Sequence, residues 1–130
     1  MKPGILVVDD DAGIRETLRL ILEDAGYHVR EAADAEAAIQ IIQSDPSPMI
    51  VLLDLIMPRS NGMLVLDIVR QDDSLRQKKA CIVMTAAQRN LPDTLAPIVK
   101  ELAIAIMYKP FELETLINLV ADAETRLSTR

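Results

Sequence analysis

The run Ile50-Val51-Leu52-Leu53-Asp54-Leu55-Ile56-Met57-Pro58 decides the reading of the whole chain. Its first four residues are apolar without alternation, the pattern of a strand covered on both faces in the middle of a parallel sheet. An acid then stands where the apolar run should continue, and Pro58 and Asn61-Gly62 mark a turn just beyond it. Asp54 is therefore expected at the carboxyl end of a buried strand, the edge where open α/β sheets carry their ligands. A lone acid there is most simply a strand cap reaching water, so its meaning depends on what the other strands bring to the same edge.

Upstream, Ile5-Leu6-Val7-Val8 reads as a first strand ending in Asp9-Asp10-Asp11. Ile14, Leu18, Ile21, Leu22 and Ala25 then recur on one helical face. Asp11 suits the N-cap of that helix and Gly26 its stop. His28 to Ala32 reads as a short strand near an edge, with His28, the only histidine, at the surface. Asp34 is placed to cap a second helix with Ala35, Ala38, Ile39 and Ile42 toward the core, broken by Ser44-Asp45-Pro46-Ser47-Pro48.

Downstream of the central strand, Met63 to Arg70 predicts a third helix, and Ala80 to Met84 a fourth strand ending at Thr85. Between Gln88 and Leu102, Pro92 and Pro97 predict a short, kinked or late-starting helix, since an interior proline costs about 3 kcal/mol. Ala103 to Met107 reads as a fifth strand running into Tyr108-Lys109-Pro110. A last helix is expected from about Glu112, with Leu113, Leu116, Ile117, Val120 and Leu127 apolar on one face and a frayed polar end over 125–130.

Five strands alternating with five helices predict a doubly wound (βα)5 sandwich with a five-stranded parallel sheet, flavodoxin-like, in the order 2-1-3-4-5. The domain is expected to fill residues 1–124, with 125–130 a polar tail or the start of a linker. Of the 130 residues, 50% are hydrophobic and only 2% aromatic, so the core must be built of aliphatic side chains. The formal charge of −6 argues against direct nucleic-acid binding, which needs clustered Lys and Arg. Cys81 has no second cysteine to pair with and reads as a small buried hydrophobe. No apolar run is long enough for a membrane span, no signal peptide is read at the start, and a cytoplasmic setting is expected.

The order 2-1-3-4-5 makes the first and third strands neighbours, so Asp9, Asp10 and Asp54 converge. Carboxylates packed together must protonate, separate or share a cation. Oxygen ligands without His or Cys suit a hard ion such as Mg²⁺. The fourth strand adds the Thr85 hydroxyl at the same edge and the fifth adds the Lys109 ammonium. Oxygen nucleophile, divalent ion, hydroxyl donor and fixed positive charge are the parts that phosphoryl transfer uses, and a carboxylate can itself be the nucleophile.

Ile5-Leu6-Val7-Val8-Asp9-Asp10-Asp11, Leu52 to Pro58 with Asn61-Gly62, Val83-Met84-Thr85-Ala86 and Lys109-Pro110-Phe111 together resemble the receiver domain of two-component response regulators over nearly the whole chain. The resemblance implies that Asp54 accepts a phosphoryl group from a sensor histidine kinase or phosphotransfer protein and passes the signal to a downstream effector. It implies Mg²⁺ held directly by Asp10, mainly through water by Asp9, and by Asp54 and the Ile56 backbone carbonyl. Thr85 would hydrogen-bond the phosphoryl group, Lys109 would pair with it, and Lys109–Pro110 would be cis. A homodimer is a habit of the family.

The chain departs from the family at Ile106, where an aromatic often stands three residues before the lysine; Tyr108 is expected on the other side of its strand. Phosphorylation is therefore expected to act by displacing the segment 88–102. With apolar Ile56 and Ala87 beside the acceptor, a long-lived phosphorylated state is expected. A haloacid-dehalogenase-type phosphohydrolase would need a second acid where Ile56 stands. A flavodoxin-like flavin binder would need a Ser/Thr/Gly-rich loop where the three acids stand. A receiver-like docking module that never takes phosphate is the remaining alternative.

Overall fold

A computed structural model of the chain describes residues 2–86 and 91–130. The main sheet comprises β1 (Gly4–Val8), β2 (Val29–Ala32), β3 (Met49–Asp54), β6 (Lys79–Ala86) and β7 (Ala105–Lys109). It is parallel throughout, in the order β2-β1-β3-β6-β7, which is 2-1-3-4-5 when only its own strands are counted. The central strand β3 is buried at all six positions, as its unbroken apolar run requires.

Alternation along the strands divides the core in two. Leu6, Val8, Val51, Leu53, Cys81 and Val83 face α2 (Ala35–Ser44), α3 (Met63–Gln71) and α5 (Leu95–Leu102). Ile5, Val7, Ile50, Leu52, Ile82 and Met84 face α1 (Ala12–Asp24) and α6 (Leu113–Thr129). Each aliphatic side chain removed from water this way contributes about 1.5–3 kcal/mol.

The caps are where the sequence places them. Asp11 accepts from the Gly13 and Ile14 N–H groups, and Asp34 accepts from Ala37 N–H. Gly26 takes φ 96° just past the end of α1, a left-handed turn that a side chain would strain. Cys81 is buried, and burial pushes its thiol up to about 12, leaving no thiolate for chemistry.

Several expectations are corrected. The antiparallel pair β4 (Ile56–Met57) and β5 (Ser60–Asn61), and the short helix α4 (Asp73–Lys78) capped by Asp72, had no counterpart in the five-plus-five count. By contrast, α5 is short and starts late, at Leu95, as the two prolines predict, so Pro97 falls in the first turn, where its missing N–H has no intrahelical partner to lose. Ala103 adopts a left-handed conformation (φ 53°) that closes α5, so β7 starts at Ala105, two residues later than expected, and reaches Lys109 itself. In α6, Leu113 is exposed, because it lies in the first turn ahead of the buried stripe Leu116, Val120 and Ala123. Helix α6 continues through Thr129, and Arg130 donates to the backbone oxygens of Arg76 and Lys79, so a frayed end is not what the structure shows.

Candidate functional site

Parallel pairing levels the strand ends. Val8 stands opposite Leu53, Asp54 opposite Met84, and Ala86 opposite Lys109. Continuing each register by a residue brings Asp9 and Asp54 side by side, with Thr85 on the next strand and Lys109 at the end of the one after.

One carboxylate oxygen from each of Asp9, Asp10 and Asp54 lies within 4.8 Å of the others. Asp9 and Asp54 are buried and Asp10 is exposed. The Lys109 ammonium donates to Asp9 Oδ2 at 2.8 Å and to Asp54 Oδ2 at 3.4 Å. Asp9 Oδ1 accepts from Asp11 N–H at 2.9 Å, and Asp54 Oδ1 accepts from Ile56 N–H at 3.0 Å. The Thr85 hydroxyl is buried and has no hydrogen-bond partner among the described residues. The Lys109–Pro110 bond is cis.

Electrostatics at the edge are opposed. Burial raises the Asp54 pKa above the ordinary carboxylate value, and Asp9 adds to it, while the Ile56 N–H and Lys109 pull the other way. Burial works against the Lys109 charge, but Asp9 and then Asp54 outweigh it and the lysine pKa ends raised. Three carboxylates against one ammonium leave an excess of negative charge, and the donor set is all oxygen. These residues suit a hard divalent cation, for which Asp9, Asp10 and Asp54 would be the ligands, with the Ile56 carbonyl at the start of β4 nearby in sequence. The orphaned Thr85 hydroxyl is a donor without an acceptor, as a site for a phosphoryl oxygen would require.

The structure therefore brings Asp9, Asp10, Asp54 and Lys109 together. Thr85 lies on the neighbouring strand β6 and Ile56 at the start of β4, just after β3. Ala87, expected to tune water access, and residues 88–90, the start of the segment expected to move, lie outside the described residues. Ile106 is half-buried on the α5 side of the sheet and Met107 is buried on the α6 side. By that alternation Tyr108 falls on the Ile106 face, not the opposite one, because residues two apart in a strand share a face. Tyr108 is 51% exposed.

Three supporting residues carried no site role in the sequence reading. Arg15 donates from Nη1 to the Asp9 backbone oxygen at 2.7 Å. Ser60 Oγ accepts from Ala35 N–H at 2.7 Å, tying the loop after Asp54 to the start of α2. Gly62 approaches the end of β3 so closely that an added Cβ would lie 2.6 Å from the Asp54 carbonyl oxygen and 2.7 Å from Leu55 Cα. Only the glycine left a trace in sequence, and there it read as a turn.

The model of the response regulator receiver domain family matches residues 5–121. The response regulator MprA of Mycolicibacterium vanbaalenii is 40% identical over 120 residues, which cover 90% of this chain and 48% of that protein. The chain thus spans about half the length of the curated relatives it matches. A CheY-like response regulator receiver domain protein from Methanospirillum hungatei JF-1 superposes over 100% of both chains with a TM-score of 0.85 and 28% identity. The chemotaxis protein CheY4 of Vibrio cholerae superposes over 95% of this chain and 99% of its own with a TM-score of 0.77 and 25% identity.

Proposed function

Because the chain belongs to the response regulator receiver domain family, we propose that it is a Mg²⁺-dependent phosphoryl acceptor whose nucleophile is the Asp54 carboxylate. The observation that carries this reading is the convergence of three carboxylates beside Lys109 and a buried Thr85 hydroxyl with no partner among the described residues.

Asp54 Oδ attacks phosphorus, the P–N bond to a phosphohistidine breaks, and the imidazole nitrogen keeps the electron pair and takes up a proton. Asp9, Asp10, Asp54 and the Ile56 carbonyl would hold Mg²⁺, which when bound would supply positive charge to the transferring oxygens. Ile56 N–H already donates to Asp54 Oδ1 and orients the carboxylate, leaving Oδ2 toward Lys109. Lys109 then follows the new charge from Asp9 to the phosphoryl group, and Thr85 gains the acceptor it lacks. Both changes draw on β6 and β7, so the displacement reaches α5, which lies between them in sequence. No separate substrate is turned over.

The donor is a sensor histidine kinase or a phosphotransfer protein, the reader is a downstream effector, and the setting is the cytoplasm. No helix among the described residues is long and apolar enough to cross a membrane. The half-buried Ile56 side chain offers no hydrogen bond to an attacking water, which favours a slow loss of phosphate.

Intact mass after incubation with Mg²⁺ and acetyl phosphate tests the reading. Wild type gains one phosphoryl mass and Asp54→Asn gains none. No gain by folded wild type, from acetyl phosphate or from a phosphohistidine donor, would leave the docking-module reading in its place.

A further inference from the structure

Asp10 is the exposed member of the acidic trio, yet a metal ligand must be held in place. Packing does not hold it. Its flanks are held instead, and Arg15 bonds to both. Arg15 donates its backbone N–H to the Asp11 carbonyl at 3.1 Å and its Nη1 to the Asp9 carbonyl at 2.7 Å. The Asp9 carbonyl belongs to the peptide plane that carries the Asp10 N–H, so fixing that oxygen fixes the orientation from which Asp10 departs.

The guanidinium is itself anchored. Its Nε donates to Glu31 Oε1 on β2 at 3.1 Å, with the Arg15 side chain 17% exposed and that of Glu31 26%. Glu31 Oε2 accepts from Arg19 at 2.8 Å, so two arginines of α1 grip one carboxylate. Asp9 N–H adds a bond to the Ala32 carbonyl at 3.2 Å. The turn between β1 and α1 is thereby tied to β2 on one side and to the first turn of α1 on the other. A planar guanidinium can reach a carboxylate and a carbonyl at once through separate N–H groups, which a single ammonium does with less directional control.

We propose that Arg15 is a positioning residue for the metal site, holding the peptide plane between Asp9 and Asp10 against Glu31 so that the exposed Asp10 carboxylate is presented to the cation. This rests on the Mg²⁺-dependent reading above. Arg15 touches neither cation nor phosphoryl group; it acts through backbone atoms, as partners of metal ligands commonly do at about 10–100-fold in affinity.

Arg19 supplies the control, since it shares Glu31 but has no bond to the Asp9 carbonyl. The experiment is a Mg²⁺ titration followed by amide chemical shifts on wild type, Arg15→Met, Arg15→Lys and Arg19→Met, with metal-free Tm measured beside it. Arg15→Met should weaken Mg²⁺ about tenfold and shift the metal-free Asp10 and Asp11 amides. Arg15→Lys should recover part of the affinity. Arg19→Met should leave Mg²⁺ binding unchanged while losing comparable Tm. Wild-type affinity in a folded Arg15→Met, or an equal loss in Arg19→Met, would overturn the positioning role. Absence of Mg²⁺ binding by wild type would instead overturn the metal reading on which it rests.

Discussion

Lys109 lies nearer to Asp9 than to Asp54: 2.8 Å from Asp9 Oδ2 and 3.4 Å from Asp54 Oδ2. The lysine therefore neutralises Asp9, the buried acid just after β1. Replacing it leaves a carboxylate that is 1% exposed without its cation. Removing one partner of a buried pair costs about 3–5 kcal/mol. Lys109→Met should lose stability of that order in metal-free urea unfolding and bind Mg²⁺ more tightly than wild type, because a competing positive charge is gone. Unchanged stability and unchanged Mg²⁺ affinity would show that the pair carries little energy.

Thr85 presents the reverse trade. A buried hydroxyl without a partner costs about 1–3 kcal/mol. Thr85→Val keeps the shape and removes the donor. Metal-free stability should rise by about 1 kcal/mol, while the shift of the β6 and α5 amides that is predicted for wild type on incubation with Mg²⁺ and acetyl phosphate should be absent.

Gly62 answers to a close approach rather than to its backbone angle, since its φ is −60°. A methyl group would meet backbone atoms of Asp54 and Leu55, which cannot rotate away. Overpacking of this kind costs about 1–3 kcal/mol. Gly62→Ala should lose that much in urea unfolding and slow phosphorylation as Asp54 is displaced. Wild-type behaviour in both would mean that the loop yields without cost.

The Asp54 pKa is raised chiefly by burial, so the folded state binds a proton more readily than the unfolded chain. Its contribution to stability is full below the ordinary carboxylate value of about 3.9 and is lost as pH rises through the folded pKa. In metal-free buffer Asp54→Asn should lack that loss. The variant should be at least as stable as wild type at neutral pH, and the difference between them should shrink as pH falls. Paired urea unfolding across the acid range checks the sign. A variant less stable than wild type at neutral pH would contradict it.

The sheet order and the acidic edge were legible because they depend on residue type and spacing. An unbroken run such as Ile50 to Leu53 can only be covered on both sides, and acids at the ends of neighbouring strands must meet. The caps at Asp11 and Asp34 were legible for a similar, local reason. What escaped depends on tertiary reach. Arg15 finds the Asp9 carbonyl only once α1 has folded back, and nothing in its spacing shows this. Lys79 is a charged residue type, yet it is 2% exposed, and its ammonium donates to the carbonyls of Asp45 and Ser47 at 2.6 and 2.7 Å. The start of β7 was misplaced because alanine rarely takes the left-handed conformation that Ala103 adopts. The helix Asp73–Lys78 is too short for periodicity to mark it.

Asp54 is predicted to become an acyl phosphate only with a divalent ion present. Borohydride reduction converts an aspartyl phosphate to homoserine, which peptide mass spectrometry can place. After incubation with acetyl phosphate, homoserine is predicted at residue 54 with Mg²⁺ present and at no residue with Mg²⁺ removed by chelation. Homoserine at another acid, or at residue 54 to the same extent without Mg²⁺, would contradict the account.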